Sequence, residues 1–155
     1  MIGGIMIGSG IFYLGARTGL MSRGYVDDAD NRGLEWISTE DMDRCCQLAR
    51  EHNLQVITHC IGDEAVRRTV GCYERAFVDG KNKLRHAVVH CQITGSELLD
   101  RIARDDVLVF GQPIFLDYDM NIVEKLCGKE MASTPTPSAH FCARAYTCPT
   151  APTAR

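Results

Sequence analysis

Two histidines occupy equivalent places in two apolar runs of the chain. His59 lies near the end of the run 54–60 and His90 near the end of the run 84–91; each is followed by a cysteine, and they are 31 residues apart. Imidazole is a common ligand for zinc and related metals, and a catalytic metal site keeps one position open for water. A metal bound there would lower the pKa of that water and make it a nucleophile. The spacing leaves equally open that each histidine is a hydrogen-bonded core residue.

The segment between the two runs has the apolar spacing of a helix over residues 63–79. Strand, helix and strand in that order form one unit of a parallel sheet, and such folds carry their chemistry at the carboxyl ends of the strands. Successive side chains of a strand point to opposite faces, so a histidine and the cysteine after it should not share a site. This disfavours a structural zinc site built from both His-Cys pairs.

The same alternation continues on both sides of this unit. In chain order, the pattern predicts a strand at 3–8, a helix at 38–53, a helix capped by 94–97, a strand at 107–113, and a last helix ending near Gly128. Strands that alternate with helices predict an α/β fold with a parallel sheet.

Composition restricts the class of protein. The chain has 155 residues, a net charge of -3 and no block of like charges, which argues against a nucleic-acid partner and against an anionic membrane surface. Its eight cysteines fall partly inside strand and helix patterns, and no secretion signal precedes them, so a reducing cytoplasmic setting is expected. The uncharged segment 1–16 contains five glycines and is too short to cross a membrane.

Three ordered motifs resemble those of the amidohydrolase superfamily. They are His59-Cys60-Ile61-Gly62-Asp63, the run Arg-His-Ala-Val-Val-His-Cys-Gln at 85–92, and Gln112-Pro113-Ile114-Phe115. The amidohydrolase 3 (YtcJ-like) group of metal-dependent hydrolases is the closest match, since 14–18 and 25–33 resemble its loop after the fourth barrel strand. The resemblance covers residues 14 to 129.

The resemblance implies a (β/α)8 TIM barrel, of which residues 1–131 would be a part of about four βα units, strands 4 to 7. It implies that His59 and His90 are ligands of a divalent metal such as zinc. The implied reaction is hydrolysis of a C–N bond in a small amide or substituted formamide. Arg17 and Gln112, at strand ends, are candidates for the substrate side; a solvated loop arginine and a strand-end hydrogen bonder are the alternatives.

Several of the family's functional residues are missing from this chain. No His-x-His motif precedes the first match, and the segment 6–15 lacks the lysine and the aspartate that the family has there. The aspartate expected after the eighth strand is also absent. No catalytic residue is therefore assigned, and the chain alone is expected to be an inactive fragment.

The composition changes after residue 131. From Ser133 onward the chain contains four of its five prolines and no Leu, Ile or Val, which predicts a disordered tail over 132–155. With free third bases, a reading frame shifted by one nucleotide from Thr136 can encode a peptide that resembles the family's next helix, eighth strand and aspartate. We therefore hypothesise a frameshift, which the gene sequence can test.

Two other functions stay open at this stage. A partial barrel has open strand edges and an uncovered inner face, so the chain could be a non-catalytic module that dimerises or binds a partner. It could instead be a complete small α/β binding domain of flavodoxin-like type, in which Gly8-Ser9-Gly10 would have to form the phosphate loop.

Overall fold

The structure, a computed structural model, describes residues 4–7, 17, 19–111 and 116–133, without the side chains of 4–7 and 116–122. Four strands alternate with four helices: β1 Gly4–Ile7, α1 Thr39–Glu51, β2 Gln55–Cys60, α2 Asp63–Ala76, β3 Ala87–His90, α3 Ser96–Arg104, β4 Leu108–Phe110 and α4 Leu116–Ala132. The predicted α/β class is confirmed. The predicted tail lies outside the described residues from position 134 onward.

The strands form one parallel sheet in the order β1-β2-β3-β4. Each strand therefore pairs with its neighbour in the chain. A doubly wound sheet of the flavodoxin type reverses its strand order at one point, and no reversal occurs among the described strands. The glycine-rich segment 8–10 lies outside the described residues.

One face of the sheet carries the main hydrophobic core. Side chains from β2, β3 and β4 meet α1, α2 and α3 there, including Val56, Val88 and Val109. Tyr73 of α2 is fully buried, and its hydroxyl donates to the carbonyl of Ala87 at 2.7 Å. The helix side of the sheet is thus fixed by apolar contacts and by buried hydrogen bonds such as this one.

The opposite face is different. Ile57, Val89 and Phe110 lie there and belong to neither of the two buried clusters that the described residues form. Phe110 is 39% exposed, which is high for a phenylalanine on a strand. In the described part of the chain, helices α1 to α3 therefore cover one face of the sheet only.

The helix ends agree with the sequence at α1 and differ at α3. Ser38 caps α1, because its hydroxyl accepts a hydrogen bond from the Asp41 amide at 3.1 Å. Side-chain capping of α3 by residues 94–97 was predicted and is wrong. Its N-cap is Gly95, which has no side chain, and the Thr94 hydroxyl donates instead to the Cys91 carbonyl at 3.2 Å.

Helix α4 takes part in a second, smaller hydrophobic cluster beyond the strand ends. Leu126 packs there with Met21 and Tyr25 of the loop 19–33 and with Ile61 and Ile93, which follow β2 and β3. The helix is interrupted at one residue, a glycine with φ of +87°. None of the described helices combines the length and the apolarity needed to cross a membrane.

Candidate metal centre

His59 and His90 meet at the carboxyl end of the sheet. Their ring centroids are 4.5 Å apart and the rings are inclined by 75°, an edge-to-face contact. His59 is the penultimate residue of β2 and His90 is the last residue of β3, and these strands are adjacent and parallel. The predicted convergence of the two imidazoles is confirmed by this distance, whereas their role as metal ligands stays a prediction.

Both imidazoles are held neutral by their surroundings. Burial and, to a smaller extent, the neighbouring His59 lower the pKa of His90 to about 4. Burial also lowers the pKa of His59, against a hydrogen bond to its own backbone that raises it. The Nε2 atoms of both rings are shielded from solvent. At neutral pH both side chains therefore have the protonation state that a metal ligand needs.

A loop packs against the strand end beside His59. The carbonyl of Leu20 accepts a hydrogen bond from the Ala65 amide at 3.2 Å, which satisfies a free donor of the first turn of α2. This approach requires a glycine at position 62, because a Cβ there would lie 2.1 Å from the Leu20 oxygen. Gly62 therefore lets the loop reach the carboxyl end of β2.

Asp63 fixes the same loop with its carboxylate. It accepts hydrogen bonds from the Ser22 amide at 2.9 Å and from the Ser22 hydroxyl at 2.5 Å, and it is only 5% exposed. Its place in the first turn of α2 also favours a negative charge. Sequence reasoning quoted Asp63 within a motif but gave it no role, since its partner is 41 residues away.

His86 is buried on the helix side of the sheet. Its ring stacks on Tyr73, and its Nδ1 accepts a hydrogen bond from the Val56 amide at 3.0 Å. His86 therefore belongs to the packed interior between the sheet and α2. Regular strand alternation would place His86 and His90 on one face, but the His90 ring lies against His59 on the other side of the sheet.

Of the two candidates for substrate contact, Arg17 and Gln112, the structure describes only Arg17. Arg17 forms two hydrogen bonds to the carboxylate of Asp27, with Nε at 3.2 Å and a terminal nitrogen at 2.5 Å. Asp27 raises the pKa of Arg17 by hydrogen bonding and by its charge. The guanidinium is thus engaged within the loop region. Gln112 lies outside the described residues, and both assignments stay predictions.

Comparison with known proteins identifies the family. The sequence pattern of the amidohydrolase family matches residues 2–142 of the chain. The chain belongs to the amidohydrolase family. The similarity to this family is therefore not limited to the motifs around His59 and His90 but extends over most of the sequence.

Two curated relatives show how much of a whole protein this chain represents. It is 31% identical to the putative amidohydrolase YtcJ of Bacillus subtilis (strain 168) over 121 residues, 78% of this chain and 22% of that protein. It is 30% identical to the protein LONG AFTER FAR-RED 3 of Arabidopsis thaliana over 120 residues, 77% of this chain and 21% of that protein. The chain thus spans about a fifth of the length of these relatives.

Two crystal structures are similar to the fold. One is an uncharacterized metal-dependent hydrolase from Pyrococcus furiosus, with a TM-score of 0.67 and 28% identity over 77% of this chain and 24% of that one. The other, from Pyrococcus horikoshii OT3, is also an uncharacterized metal-dependent hydrolase, with a TM-score of 0.66 and 29% identity over 77% of this chain and 23% of that one. Family and structural neighbours together imply a divalent metal.

The residues present fit part of such a site. Two neutral imidazoles with buried Nε2 atoms are suitable donors for a divalent ion. Within the described residues, no group of three or more His, Cys, Asp or Glu side chains is arranged to hold a metal. The histidine pair is thus compatible with two of the ligands, and further ligands have to come from elsewhere.

Proposed function

We propose that the chain is part of a (β/α)8 barrel of a metal-dependent amidohydrolase that hydrolyses C–N bonds in small amides or formamides. The observation that supports this most directly is the 4.5 Å approach of His59 and His90 at the carboxyl ends of neighbouring parallel strands. These ends are where barrels of this kind place their chemistry. A sheet with helices on one face is also what one part of such a barrel has.

In this proposal His59 and His90 hold a divalent ion, with zinc as the candidate, because zinc accepts imidazole ligands readily. The ion, when bound, supplies a Lewis acid and activates water for hydrolysis. Asp63 and Gly62 keep the loop 19–33 beside this site, and Arg17 and Gln112 belong to the substrate side. The described chain offers only two metal ligands, so it binds metal weakly and has no hydrolase activity alone.

Zinc titration tests the proposal. Isothermal titration of the reduced protein is expected to show a binding event that His59→Ala and His90→Ala each abolish. His52→Ala is the matched control, since His52 is an exposed histidine outside the site. Any zinc held by thiols remains in all variants and cancels in the comparison. Identical isotherms for the wild type and the His59→Ala/His90→Ala double variant would contradict the metal role.

Among the described residues, helices α1 to α3 cover one face of the sheet only, and this favours a second function, self-association. The outer edges of β1 and β4 have no partner strand among the described residues, and Phe110 is exposed beside one of them. Unpaired edges and apolar faces favour pairing with another chain. Two copies together have as many parallel strands as a closed (β/α)8 barrel. The chain then acts as a dimerising half-barrel.

Sedimentation velocity distinguishes this function from a monomeric fragment. Phe110→Asp is expected to shift a dimer to monomer. Leu48→Asp changes a leucine on α1 that is 50% exposed and should leave the dimer intact. A wild-type chain that stays monomeric at all concentrations would exclude self-association and leave the metal proposal untouched.

We also propose a cytoplasmic location for the protein. The six cysteines in the described part of the chain are all free thiols. Free cysteines persist in a reducing compartment, whereas disulfides form in oxidising ones. Thiol counting on protein isolated under anaerobic conditions tests this, because a cytoplasmic protein should retain all its cysteines in the reduced form.

A further inference from the structure

The end of β3 departs from regular strand geometry. In the register of the sheet, Cys60 pairs with His90 and His59 pairs with Val89. Paired residues of parallel strands point to the same face, so a regular strand would place His90 beside Cys60 on the helix side. Instead the His90 ring contacts His59, and Cys91 lies in the main core together with Cys60. The histidine and the cysteine have exchanged faces.

A tight turn causes this exchange. The Cys91 amide donates to the Val89 carbonyl at 3.1 Å, and the residue between them, His90, has φ of +71°. A hydrogen bond across one residue with positive φ defines the rare, strained form of the γ-turn. Cys91 also has positive φ, +52°. Two successive non-glycine residues in this region are unfavourable and persist only where surrounding contacts impose them.

The contacts that impose the turn come from Cys91 and Thr94. The Cys91 amide also donates to the Cys60 carbonyl at 2.8 Å, so its backbone stays joined to β2. Its side chain is completely buried. The Thr94 hydroxyl donates to the Cys91 carbonyl at 3.2 Å and lies 3.4 Å from the Cys91 sulfur. Thr94, which is itself only 2% exposed, thus contacts both the backbone and the side chain of Cys91.

We propose that Cys91 and Thr94 are positioning residues that hold the strained turn and so direct the His90 imidazole to the face of His59. Neither residue contacts a reacting group in this role; each acts through the backbone of His90. The inference deepens the proposed metal site, on which its functional meaning rests.

The first test asks whether position 90 is forced into positive φ. Glycine adopts φ of +71° without penalty, whereas alanine does not. In urea unfolding, His90→Gly is therefore expected to have a midpoint at least as high as that of His90→Ala. Position 89, in the regular part of β3, is the control, and Val89→Gly should have a lower midpoint than Val89→Ala. An alanine variant more stable than the glycine variant at position 90 would overturn the proposal.

The second test measures the distance between the two imidazoles in the metal-free protein. Wild type should give a ring-to-ring nuclear Overhauser effect between His59 and His90. Thr94→Val replaces the hydroxyl by a methyl group in a side chain of nearly the same shape and should abolish this signal. Thr94→Ser keeps the hydroxyl and should keep the signal. Thr69→Val is the matched control. Thr69 is also buried, and its hydroxyl oxygen accepts a hydrogen bond from the Cys60 thiol at 3.3 Å. This variant should leave the signal unchanged.

Zinc affinity then separates this inference from the proposed function. It should fall at least tenfold in Thr94→Val and recover in Thr94→Ser. If wild type shows the ring contact but binds no zinc, the proposed function fails and the positioning role stands. A signal that persists in Thr94→Val would refute the positioning role, whatever zinc does. Should that variant not fold, the glycine and alanine comparison at position 90 decides.

Discussion

His86 stacks on Tyr73 with ring centroids 4.9 Å apart and an angle of 24° between the rings. The Nδ1 atom of His86 accepts a hydrogen bond from the Val56 amide, so the neutral ring carries its proton on Nε2. The side chain thereby joins β2 to the segment just before β3. It serves as a hydrogen-bond acceptor in place of a backbone carbonyl, and only its neutral form can do so.

Acid should weaken the fold through this residue. Burial lowers the pKa of His86 from 6.5 to about 4 in the folded protein. The unfolded chain therefore binds more protons between these values, and the free energy of unfolding decreases as pH falls from 6.5 towards 4. A shift of this size corresponds to roughly 3 kcal/mol. Urea unfolding at a series of pH values measures the change.

His86→Asn provides the comparison, because its side-chain oxygen can accept the Val56 amide and does not titrate in this range. We expect a smaller decrease of stability with acid in this variant than in wild type. His52→Asn, at an exposed position, should follow the wild-type curve. Parallel curves for wild type and His86→Asn would exclude His86 as the source of acid sensitivity.

Gly62→Ala should disrupt the loop beside the metal site. The added Cβ would meet the Leu20 carbonyl oxygen at 2.1 Å, a contact that only a backbone shift can relieve. We expect a loss of about 2 kcal/mol or more in the free energy of unfolding, in line with other overpacked sites. Thermal or urea unfolding gives the value.

Gly95→Ala is a close control for that variant. Gly95 is also a helix N-cap with extended backbone, and a Cβ there meets nothing within 4 Å. Its replacement should lower stability by only about 0.5–1 kcal/mol, because glycine is a better N-cap residue than alanine. Equal losses for the two glycines would show that the loop contact is unimportant.

Tyr73 and Thr58 should be energetically coupled. Their hydroxyl oxygens are 2.7 Å apart, and the Tyr73 hydroxyl donates to the Ala87 carbonyl at the same distance. Tyr73→Phe should cost about 1–3 kcal/mol, because buried polar partners lose their hydrogen bonds. A double-mutant cycle with Thr58→Val should give a coupling of about 0.5 kcal/mol or more. Additive effects would contradict a shared hydrogen bond.

Zinc binding should resist acid more than an ordinary histidine site does. The lowered pKa of His90, about 4, and the lowered pKa of His59 mean that protons compete for these ligands only in more acidic solution. The dissociation constant should therefore change little between roughly pH 7.5 and pH 6, where free imidazole begins to protonate near 6.5. Titration calorimetry across this interval would reveal a tenfold weakening if the histidines had ordinary pKa values.

Much of this arrangement could be predicted from the sequence because it depends on local patterns. Apolar runs and helical spacing predicted the alternating elements, and the position of His59 and His90 at strand ends predicted their approach. The exchange of faces at His90 could not be predicted, because it depends on the register between β2 and β3 and on the positive φ of a single residue. Strand alternation predicts the wrong face for His90 unless the turn is known.

The role of Asp63 could not be predicted for a similar reason. Its partner Ser22 is distant in the sequence and lies in a loop without periodic pattern. The hydrogen bond from Val56 to His86 likewise joins two strands, and a histidine inside an apolar run gives no sign of which nitrogen accepts. Local composition indicates that these residues are polar within a core, but not which groups they meet.

In the described part of the chain, helices α1 to α3 leave one side of the sheet without a cover, and this has a consequence for biosynthesis. Helices α1 to α3 can pack on one face of the strands as soon as the chain leaves the ribosome. The apolar surface on the other face, formed by Ile57, Val89 and Phe110, stays exposed until a further layer covers it. Until that layer arrives, the nascent polypeptide exposes an apolar surface to the crowded cell, and molecular chaperones recognise such surfaces. Yield in a host that overproduces chaperones should therefore exceed the yield in an ordinary host.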